Sequence, residues 1–314
     1  MITPLRLFLT FLSFLLLHYS SVIMGNSGSN SLSDSDSTWE GEECCEVMAK
    51  VSMQLPWSAQ RDANAARDMQ NYRYMWRITQ SDDVPDDELD NDKVWPNLQF
   101  YQNKIPFSPD GICIDEFHLH WFGDYDKLEH VHCYIQWLFP THEKAVNTFD
   151  ELSPEVFKLF CRDKEVMKRL LTSYKLMLDF YGIELISEET GEVKRAVNWK
   201  ERFANLNRNS HNNHRITRIL KSMGLMGFPH YQAPLVQFFL VETLVTGTLP
   251  QVKQSALDYF IFAVVDKAKR RELIKFALLY FEPKEKFVWC PKEIKNQFLK
   301  EVKQAQEECL GNAK

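Results

Sequence analysis

The sequence has few of the residues that interrupt regular secondary structure, with 11 glycines and 13 prolines in 314 positions. This scarcity excludes collagen-like and low-complexity proteins. Net charge is also small, because 37 Lys and Arg residues face 43 Asp and Glu residues, which gives −6. A protein that binds nucleic acid through bulk charge carries far more positive charge. With 45% apolar residues, the chain is able to bury a large core.

Common catalytic motifs are absent as well. The chain contains no G-x-x-x-x-G-K-[ST], no G-x-G-x-x-G, no G-x-S-x-G and no H-E-x-x-H, the patterns that hold phosphates, dinucleotides, nucleophilic serines and catalytic zinc. These absences do not exclude an enzyme, but they remove the usual reasons to propose one, and we expect no cofactor.

Cysteine usage bears on the cellular compartment. The 7 cysteines are odd in number and scattered, which suits reduced thiols better than a disulfide framework. No asparagine begins an N-x-Ser/Thr glycosylation signal. Both observations favour a cytoplasmic or nuclear body over a secreted one.

The amino terminus carries an apolar run, LFLTFLSFLLL, over residues 7–17 behind Arg6. This length matches the apolar region of a secretory signal and is short for a membrane span. The residues before Ser20 and Ser21 suit cleavage poorly, so secretion is the less favoured outcome. We interpret residues 1–23 as a signal-anchor-like segment.

A second start competes with that interpretation. Met24-Gly25-Asn26-Ser27-Gly28-Ser29 matches the pattern for amino-terminal myristoylation. Translation from Met24 removes the apolar run and makes Gly25 a lipidation site. A single acyl chain anchors weakly and needs a second signal, which palmitoylation of Cys44 and Cys45 would supply. Both starts stay open, and both predict membrane association through the amino terminus.

The chain divides by composition. Residues 24–57 are rich in Ser, Asp, Glu and Gly, which predicts a disordered acidic leader. Helical patterning begins at residues 58–77, followed by an acidic run over 82–92 that we interpret as a solvated loop. Residues 97–111, which follow Pro96 and contain Pro106, Pro109 and Gly111, predict extended segments and turns.

Helical signals dominate the rest of the chain. Ser153-Pro154 and Asp163 mark helix starts, Gly182 marks an end, and Asn198 and Ser210 mark further starts. Three later segments are apolar over most of their surface, which places them centrally. These segments are 232–246, 251–265 and 267–281. The pattern predicts an all-α fold, with one multi-helix domain over 58–291 and a carboxy-terminal helix over 292–314.

Six potential metal ligands lie close together in sequence. They are His118, His120, His130, His132, Cys133 and His142. No closed four-ligand zinc spacing appears among them, so we favour ordinary half-buried histidines and expect no metal. The weak zinc candidates are His130, His132 and Cys133, and a zinc enzyme is the least favoured functional class.

A basic, amide-rich stretch spans Lys194 to Lys221, with Glu201 as its single acid. One interpretation is a binding site for phosphate, nucleic acid or an acidic peptide. The favoured alternative is structural, with Arg202, Arg215 and Arg218 paired to distant carboxylates and the asparagines capping helices. The candidate ligand-binding residues are Arg202, Asn205, Asn207, Arg208, His211, Asn212, Asn213, Arg215 and Arg218.

A shorter basic cluster occupies residues 267–271, Lys-Ala-Lys-Arg-Arg. Clusters of this kind occur in nuclear-import signals, but on a helix they are more often a solvated face. We favour the solvated face.

Several stretches together resemble one family. In order along the chain they are NLQFYQNKIPF, LEHVHCYIQWLFP, LLTSYKLMLDFYGIEL, NWKERFANLNRNSHNNHRITRILKSMGLMG, YQAPLVQFFLVETLV and QSALDYFIFAV. They are similar to the conserved region of the opioid growth factor receptor family, over about residues 65–291. Met24-Gly25-Asn26 and Asp36-Ser37-Thr38-Trp39 resemble the start of the family's receptor-like branch, and the long carboxy-terminal tail of the receptor is expected to be absent.

The resemblance implies a non-enzymatic receptor or binding module for an enkephalin-type opioid peptide, involved in growth regulation. It also implies a body in the cytoplasm or at the nuclear and perinuclear membranes. It supplies no ligand-binding residues. The alternative function is a nuclear adaptor that binds nucleic acid or an acidic protein through residues 194–221, with nucleic acid the less favoured partner.

Overall fold

A computed structural model describes residues 38–39, 61–80, 95–142 and 154–311. In that part of the chain almost every element is a helix, which confirms the all-α prediction. The predicted segment 1–23, Gly25, Cys44, Cys45 and the acidic run 82–92 lie outside the described residues.

The helices α1 to α13 follow one another along the described chain. They are α1 Ala63–Gln80, α2 Pro96–Tyr101, α3 Ile114–Trp121, α4 Tyr125–His130, α5 Tyr134–Leu138, α6 Pro154–Arg162, α7 Lys164–Phe180, α8 Trp199–Arg208, α9 His211–Leu225, α10 Gln232–Leu240 with the wider π-turn Val241–Val245, α11 Lys253–Ser255 continuing through the π-turn Ala256–Phe260 to Ile261–Ala263, α12 Lys267–Tyr280 and α13 Lys292–Gly311. Short 3-10 turns occur at Pro229–Tyr231 and Lys284–Lys286.

Several predicted helix boundaries are confirmed. Asp163 caps α7, since its carboxylate accepts hydrogen bonds from the backbone N–H groups of Glu165 and Val166. Asn198 and Ser210 occupy the positions before α8 and α9, but neither side chain makes a capping hydrogen bond. The backbone turns at these two positions without help from the cap residue.

The expectation of extended chain over residues 97–111 is wrong at its start. Helix α2 begins at Pro96, whose fixed φ suits the first helical position. Phe100 and Tyr101 are fully buried, and the Tyr101 hydroxyl donates to the carbonyl oxygen of Leu138. Burial of these two rings outweighs the turn-forming residues that follow.

A small hairpin was not predicted. Strands β1 Ile183–Leu185 and β2 Val193–Arg195 pair antiparallel, with Ile183 opposite Arg195. Gly182, which ends α7, has a φ of +77°, and a Cβ there would lie 2.7 Å from the Cα of Trp199. Only glycine fits that position without displacement, so the chain turns sharply from α7 into β1.

A partly buried ion pair holds the hairpin to the π-turn at the end of α10, since 31% of the Arg195 side chain but only 5% of the Glu242 side chain is exposed. Arg195 donates from Nε and one terminal nitrogen to the two carboxylate oxygens of Glu242, at 2.7 and 2.5 Å. Glu242 sits on the π-turn, and the hydroxyls of Thr246 and Thr248 also donate to it. These donors stabilise the buried carboxylate. The ion pair thereby keeps β2 packed beside α10.

Helix α9 is buried along most of its length, although its sequence is highly polar. Helices α1, α10 and α11 pack on it. The amide of Gln232 links these elements, since it donates to the carbonyl oxygens of Leu220 and Ala263 and accepts from the backbone N–H of Val265. The centre of the fold therefore contains a satisfied polar helix.

Candidate functional site

The histidine-rich segment and the amide-rich stretch, separate in sequence, meet in space. The α4–α5 junction lies against α8 and the start of α9. We call the side chains that meet there the Glu129 cluster. It consists of Glu129, His132, Asn205, His211, Asn212 and Arg215.

The carboxylate of Glu129 is the centre of this cluster and its side chain is only 12% exposed. The amide nitrogens of Asn205 and Asn212 donate to it, the latter at 3.2 Å. Nε2 of His211 lies 2.6 Å from Glu129 Oε1. A buried carboxylate needs such donors because its charge is poorly solvated, so the asparagines hold Glu129 and do not cap helices.

Arg215 also belongs to this cluster, and it contacts the backbone at the end of α4. It is 5% exposed, and its guanidinium donates to the carbonyl oxygens of Leu128, Glu129 and Val131 at 2.9 to 3.2 Å. These carbonyls lie at the carboxy-terminal end of α4, where helices leave acceptors unpaired and favour cations. Arg215 therefore satisfies carbonyl oxygens at the end of α4 and joins this end to α9.

His132 contacts both Arg215 and His211. Its Nδ1 lies 2.8 Å from a terminal nitrogen of Arg215, and its ring meets that of His211 edge to face, 5.2 Å between centroids. Partial burial, followed by the positive charge of Arg215, lowers the pKa of His132. The neutral ring accepts the hydrogen bond that Arg215 offers.

Arg202 and Arg218 also donate to backbone carbonyls, where we expected pairs with distant carboxylates, whereas Arg195 does pair with a distant carboxylate, that of Glu242. Arg202 donates to the carbonyl oxygen of Phe180 at 2.8 Å and stacks over Tyr125. Arg218 donates to the carbonyl oxygen of Phe139 at 2.7 Å. These two side chains therefore donate to the protein's own backbone.

The other asparagine candidates fasten the loop after α10. Asn207 donates to the carbonyl oxygen of Thr248 at 2.9 Å and accepts from the backbone N–H of Gln251. Asn213 donates to the carbonyl oxygen of Gln251 at 3.4 Å. Arg208 differs from the other candidates, because its side chain is exposed to solvent.

The potential metal ligands have other contacts. His118 lies 2.8 Å from the Ser173 hydroxyl, and burial lowers its pKa to about 4. Cys133 donates to the Asp110 carboxylate, and burial raises its pKa to about 11. His130 bonds the carbonyl oxygen of Asp126. Across residues 38–39, 61–80, 95–142 and 154–311, no group of three or more such side chains is placed to hold a metal ion.

Glu129 is the residue that sequence reasoning missed. It precedes the His-x-His pattern, and it lies in a segment that attracted attention for its histidines alone. A sequence signal existed, since the amide-rich stretch contains many donors and one acid. Buried donors require acceptors, and an acid at the end of α4 supplies one.

In the part of the chain that is described, no helix combines the length and apolarity needed to cross a membrane. The apolar run over residues 7–17 lies outside that part.

Comparison with known proteins identifies the family of this helical fold. The model of the opioid growth factor receptor (OGFr) conserved region matches residues 90–296. The chain therefore belongs to the opioid growth factor receptor family. No solved structure matches it.

Individual relatives come from both branches of the family. Opioid growth factor receptor-like protein 1 of Rattus norvegicus is 48% identical over 232 residues, which are 74% of this chain and 48% of the relative. The opioid growth factor receptor of Mus musculus is 49% identical over 239 residues, 76% of this chain and 37% of the relative. The human receptor is 47% identical over 248 residues, 79% and 36% respectively. The chain spans less than half the length of these relatives, which are named as receptors or as a receptor-like protein.

Proposed function

We propose that this protein is a non-enzymatic, opioid growth factor receptor-like module that binds an enkephalin-type peptide and takes part in growth regulation. The observation that carries the proposal is the match of the family's conserved region to residues 90–296. Relatives named as receptors share nearly half of their aligned residues with this chain.

The Glu129 cluster is the site we propose for the peptide. Enkephalin-type peptides begin with a free ammonium group, and a carboxylate is the natural partner of that group. Glu129 retains 12% exposure and the neighbouring His211 retains 41%, so the cluster reaches the surface. We infer that Arg208, which is exposed at the end of α8, meets the peptide's carboxylate end.

Titration of isotopically labelled Met-enkephalin, with both of its ends free, against the full chain tests this proposal. We expect saturable binding at micromolar peptide, at least tenfold weaker for Glu129→Gln and for an amino-terminally acetylated peptide. Glu201→Gln is the matched control, because Glu201 is 78% exposed. Absence of saturable binding contradicts the function, whereas binding indifferent to Glu129→Gln contradicts the site alone.

We further propose that the amino terminus attaches the body to a membrane, either through residues 1–23 or through myristoylated Gly25 with acylated Cys44 and Cys45. The body then lies in the cytoplasm or at the nuclear membrane. Amino-terminal mass spectrometry of protein from its native cells separates the two anchors, because an intact segment 1–23 and an acylated Gly25 exclude each other. A cleaved amino terminus without lipid contradicts both.

A further inference from the structure

Two residues far ahead of the first described helix are packed into the helical body. Thr38 is 0% exposed and Trp39 is 4% exposed. They come from the acidic leader, for which composition predicts no fixed structure. A buried tryptophan removes on the order of 200 Å² of side-chain surface from water, so this contact contributes to holding the segment against the helical body.

The groups that hold the two residues belong to the basic cluster at the start of α12. Nε of Arg270 donates to the Thr38 hydroxyl at 2.6 Å, and Nε of Arg271 donates to the Thr38 carbonyl oxygen at 3.0 Å. The Arg271 guanidinium also lies 5.6 Å from the centre of the Trp39 ring, within range of a cation–π contact. Arg270 and Arg271 together therefore contact a hydroxyl, a main-chain carbonyl and an aromatic ring of this segment.

These contacts correct the expectation of a solvated face over residues 267–271. Arg270 is 1% exposed, although Lys269 beside it has a side chain that is 56% exposed. A second nitrogen of Arg270 donates to the carbonyl oxygen of Val264 at 2.6 Å. The end of α11 thus orients this guanidinium independently of the leader, and a preoriented group binds its ligand at lower entropic cost.

We propose that Thr38 and Trp39 are a ligand carried by the chain itself, seated in a peptide-binding site whose recognition groups are Arg270 and Arg271. Residues 40–60 connect this ligand to the body, so binding is intramolecular and favoured by effective concentration. When the segment leaves, the site accepts a Thr-Trp peptide from elsewhere, including the leader of a second copy. The segment therefore controls access to the site.

The test uses the full chain and a labelled synthetic peptide of residues 34–43, followed by fluorescence anisotropy. In the wild type the chain's own segment competes with the peptide. We expect Trp39→Ala to vacate the site and to bind the peptide at least tenfold more tightly than the wild type does. A peptide in which the tryptophan is alanine should not bind.

Two further variants, each made in the Trp39→Ala chain, separate recognition from charge. Arg271→Gln should weaken peptide binding at least tenfold, whereas Lys269→Gln, which removes the same charge from an exposed side chain, should leave it nearly unchanged. If both substitutions weakened peptide binding equally, the affinity would come only from the charge attraction between the basic cluster and the acidic peptide. That result would overturn the proposal. Equal binding by wild type and Trp39→Ala, or no binding by folded Trp39→Ala, would overturn it as well.

Circular dichroism reports whether Trp39→Ala is folded. If it is not, the wild-type chain cut by a site-specific protease at a cleavage site inserted into residues 40–60 provides the same test. The released amino-terminal fragment should stay with the body in size-exclusion chromatography and be displaced by excess peptide. A fragment that elutes separately at micromolar protein overturns the proposal.

Discussion

The two basic segments of this protein use arginine in different ways. Within residues 194–221, Arg202, Arg215 and Arg218 donate to carbonyl oxygens of the helical body. At the start of α12, Arg270 and Arg271 donate hydrogen bonds to Thr38, which lies far earlier in the chain. The first segment fastens the body to itself and the second fastens the leader to the body. Similar composition therefore serves two purposes, which differ in what is lost when an arginine is removed.

The largest effect is expected for Arg215→Met. The substitution removes the guanidinium donors from three carbonyl oxygens at the end of α4, although the Leu128 carbonyl oxygen keeps the Tyr134 hydroxyl. The free energy of unfolding should fall by about 4 kcal/mol. Urea denaturation followed by circular dichroism measures this loss. Exposed Arg208→Met is the matched control and should change stability by less than about 0.5 kcal/mol. If both substitutions lowered the free energy of unfolding equally, the contacts of Arg215 would contribute no more to stability than an exposed arginine does, which would contradict this prediction.

Arg270→Met should lower the free energy of unfolding by about 3 kcal/mol, because it removes the donor to both Val264 and Thr38. In contrast to Arg215→Met, part of this loss should vanish in a Trp39→Ala background. A double-mutant cycle by urea denaturation measures the coupling, expected near 1 kcal/mol. Strict additivity would mean that Arg270 serves the body alone, like the arginines of the first segment.

Acid should weaken the body through a buried histidine. Burial lowers the pKa of His118 to about 4, while the nearby Asp115 opposes this shift and Arg169 adds to it. Between pH 6.5 and 4 the unfolded chain binds the proton and the folded chain does not, so stability falls as pH falls, by about 2 kcal/mol at pH 5. The free energy of unfolding of His118→Gln should vary less over that range. An unchanged pH dependence would contradict a buried neutral ring.

The smallest effect is expected at Lys269, the neighbour of Arg270. Lys269 pairs with Glu272 at 3.1 Å, and both side chains are about half exposed. Exposed pairs three residues apart contribute little, so Lys269→Gln should change the free energy of unfolding by less than about 0.5 kcal/mol. Thermal denaturation compares this variant with Arg270→Met. A large loss of stability for Lys269→Gln would contradict the difference that we expect between exposed Lys269 and buried Arg270.

Much of the fold was predictable from local patterns. Pro154 and Asp163 start helices where the sequence places them, because a proline and a capping carboxylate act within one turn. The central positions of α10 and α11 follow from their apolar surfaces. Helix α2 and the hairpin were missed, since Phe100 and Gly182 depend on packing against α5 and α8.

The candidate site was predictable only in part. The amide-rich stretch and the histidine segment each attracted attention, yet their meeting point at Glu129 depends on contacts more than 70 residues apart along the chain. The burial of α9 was also hidden, because its polar sequence is typical of an exposed helix. Polar side chains enter a core when partners exist there, and those partners come from other helices.

The sequence by itself determined the helical class, several helix boundaries and the family, because these depend on neighbouring residues and on ordered motifs. Only the tertiary structure decided which basic side chains are buried and that Thr38 and Trp39 return to α12. An arginine has the same charge in either setting, and the free energy of burying it depends on the acceptors around it. Those acceptors, the carbonyls at the ends of α4 and α11 and the Thr38 hydroxyl, are brought together by the folded chain alone.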